Sequence, residues 1–155
     1  MAVDTSGARR KLARASFDNV LPKLVEDAGA YISGKLVQEV LNGASGTSYP
    51  KPYPTSVADG EKGFVGVITS NLRRSIGVTK IDQFTTFVSQ INEALAPYHG
   101  DMIAFSQRKY GMNFYQIAVT LYGPLIAKEI TETLIRIARD IDAGKESGYS
   151  NPFPA

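Results

Sequence analysis

The chain has 155 residues, of which 43% are apolar, with 17 Lys and Arg against 15 Asp and Glu, a formal charge of +2 and no cysteine. That length can bury a core without metal or disulfide support, and the apolar and charged fractions exclude wholesale disorder. The lack of cysteine excludes a disulfide framework, a thiolate metal site and a cysteine nucleophile, and so small a net charge does not by itself argue for nucleic acid.

In chain order, the first third reads as helix. Phe17, Leu21, Leu24, Ala28, Ile32, Leu36 and Val40 recur at spacings of three and four and line one face. Pro22 either kinks that helix or occupies the first turn of a second one, and Asn42-Gly43 is a helix stop. Arg9, Arg10, Lys11 and Arg14 crowd the start against a single Asp4. This basic start runs into an amphipathic pattern, not an apolar signal region, and the apolar runs are too short for a bilayer. A soluble protein in a reducing cytoplasm is therefore the expectation.

Residues 43–63 form a long Pro- and Gly-bearing loop, whose alternating prolines in Tyr49-Pro50-Lys51-Pro52-Tyr53-Pro54 favour an extended path. Strands are expected next. Phe64–Ile68 is short and β-branched. In Leu72–Lys80, alternation places Leu72, Arg74, Ile76 and Val78 on one face and Arg73, Ser75, Gly77 and Thr79 on the other. Phe84–Ile91 is β-rich with less clean alternation, which suggests partial cover on both faces. Ile81-Asp82-Gln83 is short enough to close an antiparallel hairpin. The last third returns to helix through Ile126, Ile130, Leu134, Ile137 and Ile141, with Pro124 suited to its first turn and Gly144 to its stop. The expected fold is α+β, a single domain over residues 1–145: an N-terminal amphipathic helix, a small antiparallel sheet and a long C-terminal helix packed on it. Residues 146–155 follow as an extended C-terminal arm.

Motifs for chemistry are sparse. His99 beside Asp101 is the only histidine, with no nucleophile identifiable by spacing and no second histidine to share a metal. Gly60, Gly63 and Gly66 do not fit a dinucleotide fingerprint, and no phosphate-loop pattern occurs. Neither an enzyme nor a cofactor or metal site is expected. The N-terminal basic cluster with Arg73 and Arg74 offers a different class, a small nucleic-acid-binding domain, against which stands a solvated first turn. Tyr110, Phe114, Tyr115 and Tyr122 could stack bases but suit core or subunit contacts better.

Thr69-Ser70-Asn71-Leu72-Arg73-Arg74-Ser75-Ile76, then Ala96-Pro97-Tyr98, Ile103–Lys109 and Met112-Asn113-Phe114-Tyr115 before the terminal helix, follow one another in a telling order. In that order the chain resembles the neck and tail-completion proteins of tailed bacteriophages, the head–tail joining or minor tail components. Their motif has the form Thr-Gly-x-Leu-Arg-x-Ser-Ile, and Ser70 stands here where it has glycine. Ala104 and Ser106 replace an acid and a glycine of the family's strand end, the Arg-Pro pair before Phe114 is absent, and His99-Gly100-Asp101 is an insertion. The resemblance implies a structural virion protein, assembled in the host cytoplasm, that joins the DNA-filled head to the tail, or a tail terminator or stopper of similar size. It implies a homo-oligomer closed into a cyclic ring of roughly six- or twelve-fold symmetry. Its partners would be head-connector and tail-tube or tail-terminator proteins, with DNA passing through without sequence-specific binding and no membrane contact. Tyr49, Tyr53, Phe64, Arg73, Tyr149 and Phe153 are then candidates for subunit contacts, and Arg9, Arg10, Lys11, Arg14 and Arg74 for a channel or DNA-facing surface.

Overall fold

The computed structural model describes residues 6–41 and 71–154. The 43–63 loop, the Asn42-Gly43 stop, the Phe64–Ile68 strand and Tyr49, Tyr53 and Phe64 lie outside the described residues. Helix α1 (Ser6–Lys35) is one continuous helix with Pro22 inside it, which decides between the two readings of that proline. Its apolar spacing buries Leu24 and Ala28, and the small Ser16, Gly29 and Ser33 are buried beside them, so neighbouring elements can approach its backbone closely. The helix then widens into a π-helical turn, Leu36–Val40, closed by the Leu41 N–H donating to the Leu36 carbonyl at 2.9 Å. With this widened turn, Leu36, Val40 and Leu41 are all buried.

Residues 71–75 are helical, not extended, and strand β1 (Ile76–Asp82) starts only after them. The expected alternation of Leu72, Arg74, Ile76 and Val78 on one face is therefore corrected. Leu72, in the helical turn, and Ile76, which opens β1, are both buried. The Ser75 hydroxyl donates to the Leu72 carbonyl at 2.7 Å and is buried with it. Strand β1 pairs antiparallel with β2 (Thr85–Gln90), with Ile76 opposite Gln90 and Thr79 opposite Phe87. A register shift between Lys80 and Asp82 makes Ile81 a bulge residue. The hairpin turn falls at Gln83-Phe84, one residue later than expected, because the Asp82 carboxylate accepts the Phe84 N–H at 2.7 Å.

Helix α2 (His99–Tyr110) ends at Gly111, whose φ of 73° is left-handed and whose N–H caps the Gln107 carbonyl at 3.0 Å. The resemblance places a strand end at Ile103–Lys109; the segment is helical instead. Met102 and Ser106, four apart, are both buried, a helical spacing. Helix α3 (Phe114–Asp142) starts well before Pro124, contrary to the expectation that this proline opens it. The true start is a reciprocal cap. The Asn113 side chain accepts the Gln116 N–H, and the Gln116 side chain accepts the Asn113 N–H, both at 2.9 Å. Pro124 sits inside the helix on its exposed side, where the missing N–H removes one backbone bond without a core clash. Gly144, with φ of 73°, follows the helix as the expected stop.

Helices α1 and α3 run antiparallel, since Arg9 near the start of α1 pairs with Asp142 at the end of α3, while Glu39 reaches Tyr122 near its start. Helix α1 lies against both strands. The molecule is thus helix-rich α+β with a small two-stranded antiparallel sheet and long N- and C-terminal helices. Both the sheet and the C-terminal helix pack chiefly on α1, so the C-terminal helix does not lie on the sheet as expected. Two apolar clusters stand along the helix pair. The first gathers Leu36, Val40, Leu72, Ile76, Met102, Phe114 and Ile117; the second gathers Leu24, Ala28 and Phe153, with Ile126 and Ile130 against them. Phe114 is fully buried, and removing a side chain of that size from water stabilises by about 3 kcal/mol. Pro124 falls between the α3 residues that serve the first cluster and those that serve the second.

Candidate assembly surfaces

Of the two adjacent arginines, Arg74 is exposed and Arg73 half-buried. The expected order, Arg73 on the polar face and Arg74 on the apolar one, is reversed because residues 71–75 wind as a helix. The N-terminal basic cluster lies on the first turns of α1. Arg9 forms an ion pair with Asp142, and Arg14 stands 3.9 Å from Asp18 one turn away. Arg10 and Lys11 are exposed on the same turns. All of these groups are well solvated, so each pair contributes little to stability.

The C-terminal residues fold back over the chain that carries them. The Ser147 N–H donates to the Ser16 hydroxyl at 3.0 Å, and the Ser147 hydroxyl donates to Asp140 at 2.7 Å. The Tyr149 hydroxyl donates to the Asp27 carboxylate, and burial together with that carboxylate pushes the phenol's pKa well up. Phe153 stacks on Tyr31 with centroids 5.4 Å apart and is 7% exposed. Tyr149 and Phe153, expected at a subunit interface, are therefore engaged within this chain.

Beside Phe153 lies a cluster the sequence reading passed over. Lys35 and Glu39 pair at 2.6 Å with side chains 24% and 27% exposed, and the Tyr122 hydroxyl donates to the same carboxylate. The Lys35 ammonium also lies 5.8 Å from the Tyr31 ring centroid and 5.7 Å from that of Tyr122. The hydrogen bonds from Lys35 and then Tyr122 lower the Glu39 pKa. The bond to Glu39 raises that of Lys35. A signal was present: Lys35 and Glu39 are one turn apart, as are Tyr31 and Lys35.

A second feature is the outer face of the hairpin. Val78 and Thr86 face α1, where the Thr86 hydroxyl donates to the Val25 carbonyl at 3.3 Å, so their strand neighbours point away. There Ile81 is 53% exposed, Phe87 58% and Ile91 57%, while Phe84, in the turn, is 49% exposed and lines a cleft on the α1 side with Val25, Ala28 and Ile126. Within β2 both faces are partly covered, as expected: Thr86, Val88 and Gln90 lie on the α1 side and Thr85 and Ser89 on the other are half-buried, and only Phe87 is exposed. The Ile91 side chain lies across Gly77, in space a Cβ there would take.

His99 opens α2 and shares a hydrogen bond of 2.8 Å between its Nε2 and the Tyr115 hydroxyl, with its ring edge-on to Phe114 at 5.8 Å. Burial lowers the His99 pKa and pushes the Tyr115 hydroxyl up to about 12, so both groups are held neutral. Asp101, its sequence neighbour, is exposed. Among the described residues no three His, Cys, Asp or Glu side chains group to hold a metal, and no helix is long and apolar enough to cross a membrane. Compared with protein-family models, with curated proteins and with solved structures, the chain finds no match.

Proposed function

We propose that the chain is a structural subunit of a ring at the head–tail connection of a tailed bacteriophage, acting by geometry through repeated contacts between copies. The order of motifs around Leu72-Arg73-Arg74-Ser75-Ile76 supports this reading. The observation that carries it is the hairpin's outer side, where Ile81, Phe87 and Ile91 are each more than half exposed. Such a face costs solubility in a monomer and suits contact with another protein surface. Both strands of the two-stranded sheet also keep an unpaired edge among the described residues, which a neighbour's strand can extend.

Electron microscopy and native mass spectrometry test the reading directly. The expected result is a closed ring that Phe87→Ser together with Ile81→Ser dissociates without lowering the melting temperature of the subunit. A second reading has its own observation: Arg10, Lys11, Arg14 and Arg74 are exposed cations. A strictly monomeric protein whose DNA binding is tight and falls steeply with salt would replace the ring with a nucleic-acid-binding domain.

A further inference from the structure

Among the described residues the large exposed apolar side chains stand on the hairpin and its ends or on α3, and Phe87 is the most exposed of them. Phe87 lies opposite Thr79 on the side of the sheet turned away from α1, and its face neighbours Gly77 and Ser89 carry no charge. On the other side of the same hairpin, an open cleft of about 300 Å³ runs between the strands, α1 and α3. Val25, Ala28 and Ile32 of α1, Val88 of β2 and Ile126 and Ile130 of α3 line it, and none of its lining residues is charged. All six except Ala28 are half-buried, so apolar wall is left in contact with water. One chain thus carries an apolar knob on one face of its sheet and an apolar recess on the other.

We propose that Phe87 of one copy seats in this cleft of the next, as the contact that joins neighbours; the proposal rests on the ring reading and names its joint. Size agrees. An enclosed apolar cavity of about 150 Å³ already holds a benzene ring, so the cleft takes a phenyl side chain with room at its mouth. Charge agrees too, since neither Phe87 with its face neighbours nor the cleft lining brings an ion that the contact would strip of water. Seating the ring removes it and the half-buried walls from water in one step. Direction follows from the placement of knob and cleft on opposite faces of one sheet. A copy that gives its knob to one neighbour still has its cleft for another, so the contact is head-to-tail, and such contacts make a ring where the rotation closes. Ile81 and Ile91, exposed beside Phe87, then fall at the rim of the joint.

Two full-length variants separate the halves of the joint. Phe87→Asp removes the knob and leaves the cleft; Val25→Glu charges the cleft at a half-buried position and leaves the knob. Each alone should raise the concentration needed for assembly by about thirtyfold or more, the scale of losing a central aromatic anchor. Mixed in equal amounts, they can make one productive joint only, the knob of the Val25→Glu copy in the cleft of the Phe87→Asp copy. Native mass spectrometry should then find heterodimers and nothing larger. Where Val25→Glu does not fold, p-benzoyl-phenylalanine in place of Phe87, mixed with isotopically heavy wild type, reads the same contact. Irradiation should couple it to residues 25–32 or 126–130 of a heavy chain. Rings that persist in Phe87→Asp, or coupling elsewhere on a second copy, overturn the joint and leave the ring reading standing. Variants that fail singly and give no heterodimer together do the same, as does coupling confined to one chain, residues 42–70 included. A wild-type protein that stays monomeric at every concentration overturns both.

Discussion

At the scale of single residues, the half-buried polar groups are informative because each has a counted set of partners. His99 is held neutral by burial, and its pKa in the folded chain lies below the ordinary value of 6.5. The unfolded chain therefore takes up the proton first. Stability is unaffected well above pH 6.5 and declines as the pH falls through that value toward the lowered one. In thermal melts between pH 7 and pH 5, His99→Gln is expected to lose less of its melting temperature than the wild type; equal losses would assign the acid sensitivity elsewhere. Tyr122 makes a different case, since its hydroxyl serves a carboxylate that Lys35 already neutralises. Tyr122→Phe removes a charge-assisted bond and is expected to cost about 1–2 kcal/mol by urea denaturation. In the Glu39→Gln background, where the carboxylate charge is gone, the cost of the same change should shrink.

At the scale of elements, two glycines of α1 give opposite expectations from the same substitution. A Cβ on Gly29 would come within 2.7 Å of the Thr86 hydroxyl and 3.2 Å of Val78, so this glycine sets how closely the hairpin approaches the helix. A Cβ on Gly34 would meet nothing within 4 Å. Gly34→Ala is expected to stabilise by about 0.5–1 kcal/mol through the backbone entropy it removes from the unfolded chain. Gly29→Ala is expected to destabilise by about 1–3 kcal/mol and to be partly rescued by Thr86→Ala, as read from urea midpoints of the two singles and the double. The elements also show what the sequence made legible. The stripe of α1 and the hairpin follow from hydrophobic spacing, and the Gly144 stop from the freedom of glycine at positive φ. Leu72 and Arg74 mislead because their spacing to Ile76 continues the strand's period of two, although residues 71–75 wind as a helical turn and the strand begins at Ile76. The start of α3 was placed too late because Pro124 was given more weight than Asn113 and Gln116, whose reciprocal bonds define the cap. Helix α2 is missed because the resemblance gives Ile103–Lys109 to a strand end, and its buried Ser106, whose hydroxyl donates to the Met112 carbonyl, adds no apolar signal.

At the scale of the whole molecule, the arm contributes to the core it lies on. Phe153 joins Leu24 and Ala28 in the second cluster, so the chain beyond α3 is part of the packed structure of this subunit. Phe153→Ala is expected to cost about 3 kcal/mol in chemical denaturation, as for other buried aromatics, whereas Pro154→Ala at the exposed end should change little. The candidate surfaces were only partly legible in advance. Tyr149 and Phe153 stood out as aromatic residues in a polar segment, but their partners Asp27 and Tyr31 lie far away in sequence. Exposure of Phe87 and Ile91 could not be read from alternation alone, because period two shows that two faces differ and not which one is covered.

The division of α3 at Pro124 bears on how the subunit comes apart. One helix belongs to two neighbourhoods, and at their boundary it lacks one of the rungs that would transmit order from one half to the other. The half beyond Pro124, together with the first turns of α1 and the arm, is expected to open as a unit before the half around Phe114, α2 and the hairpin. Amide protons would then exchange with solvent in two populations along a single helix, divided near residue 124. If two exchange populations are found, the subunit has a firm body and a yielding end, and in the proposed ring the yielding end would let neighbours adjust without the body unfolding.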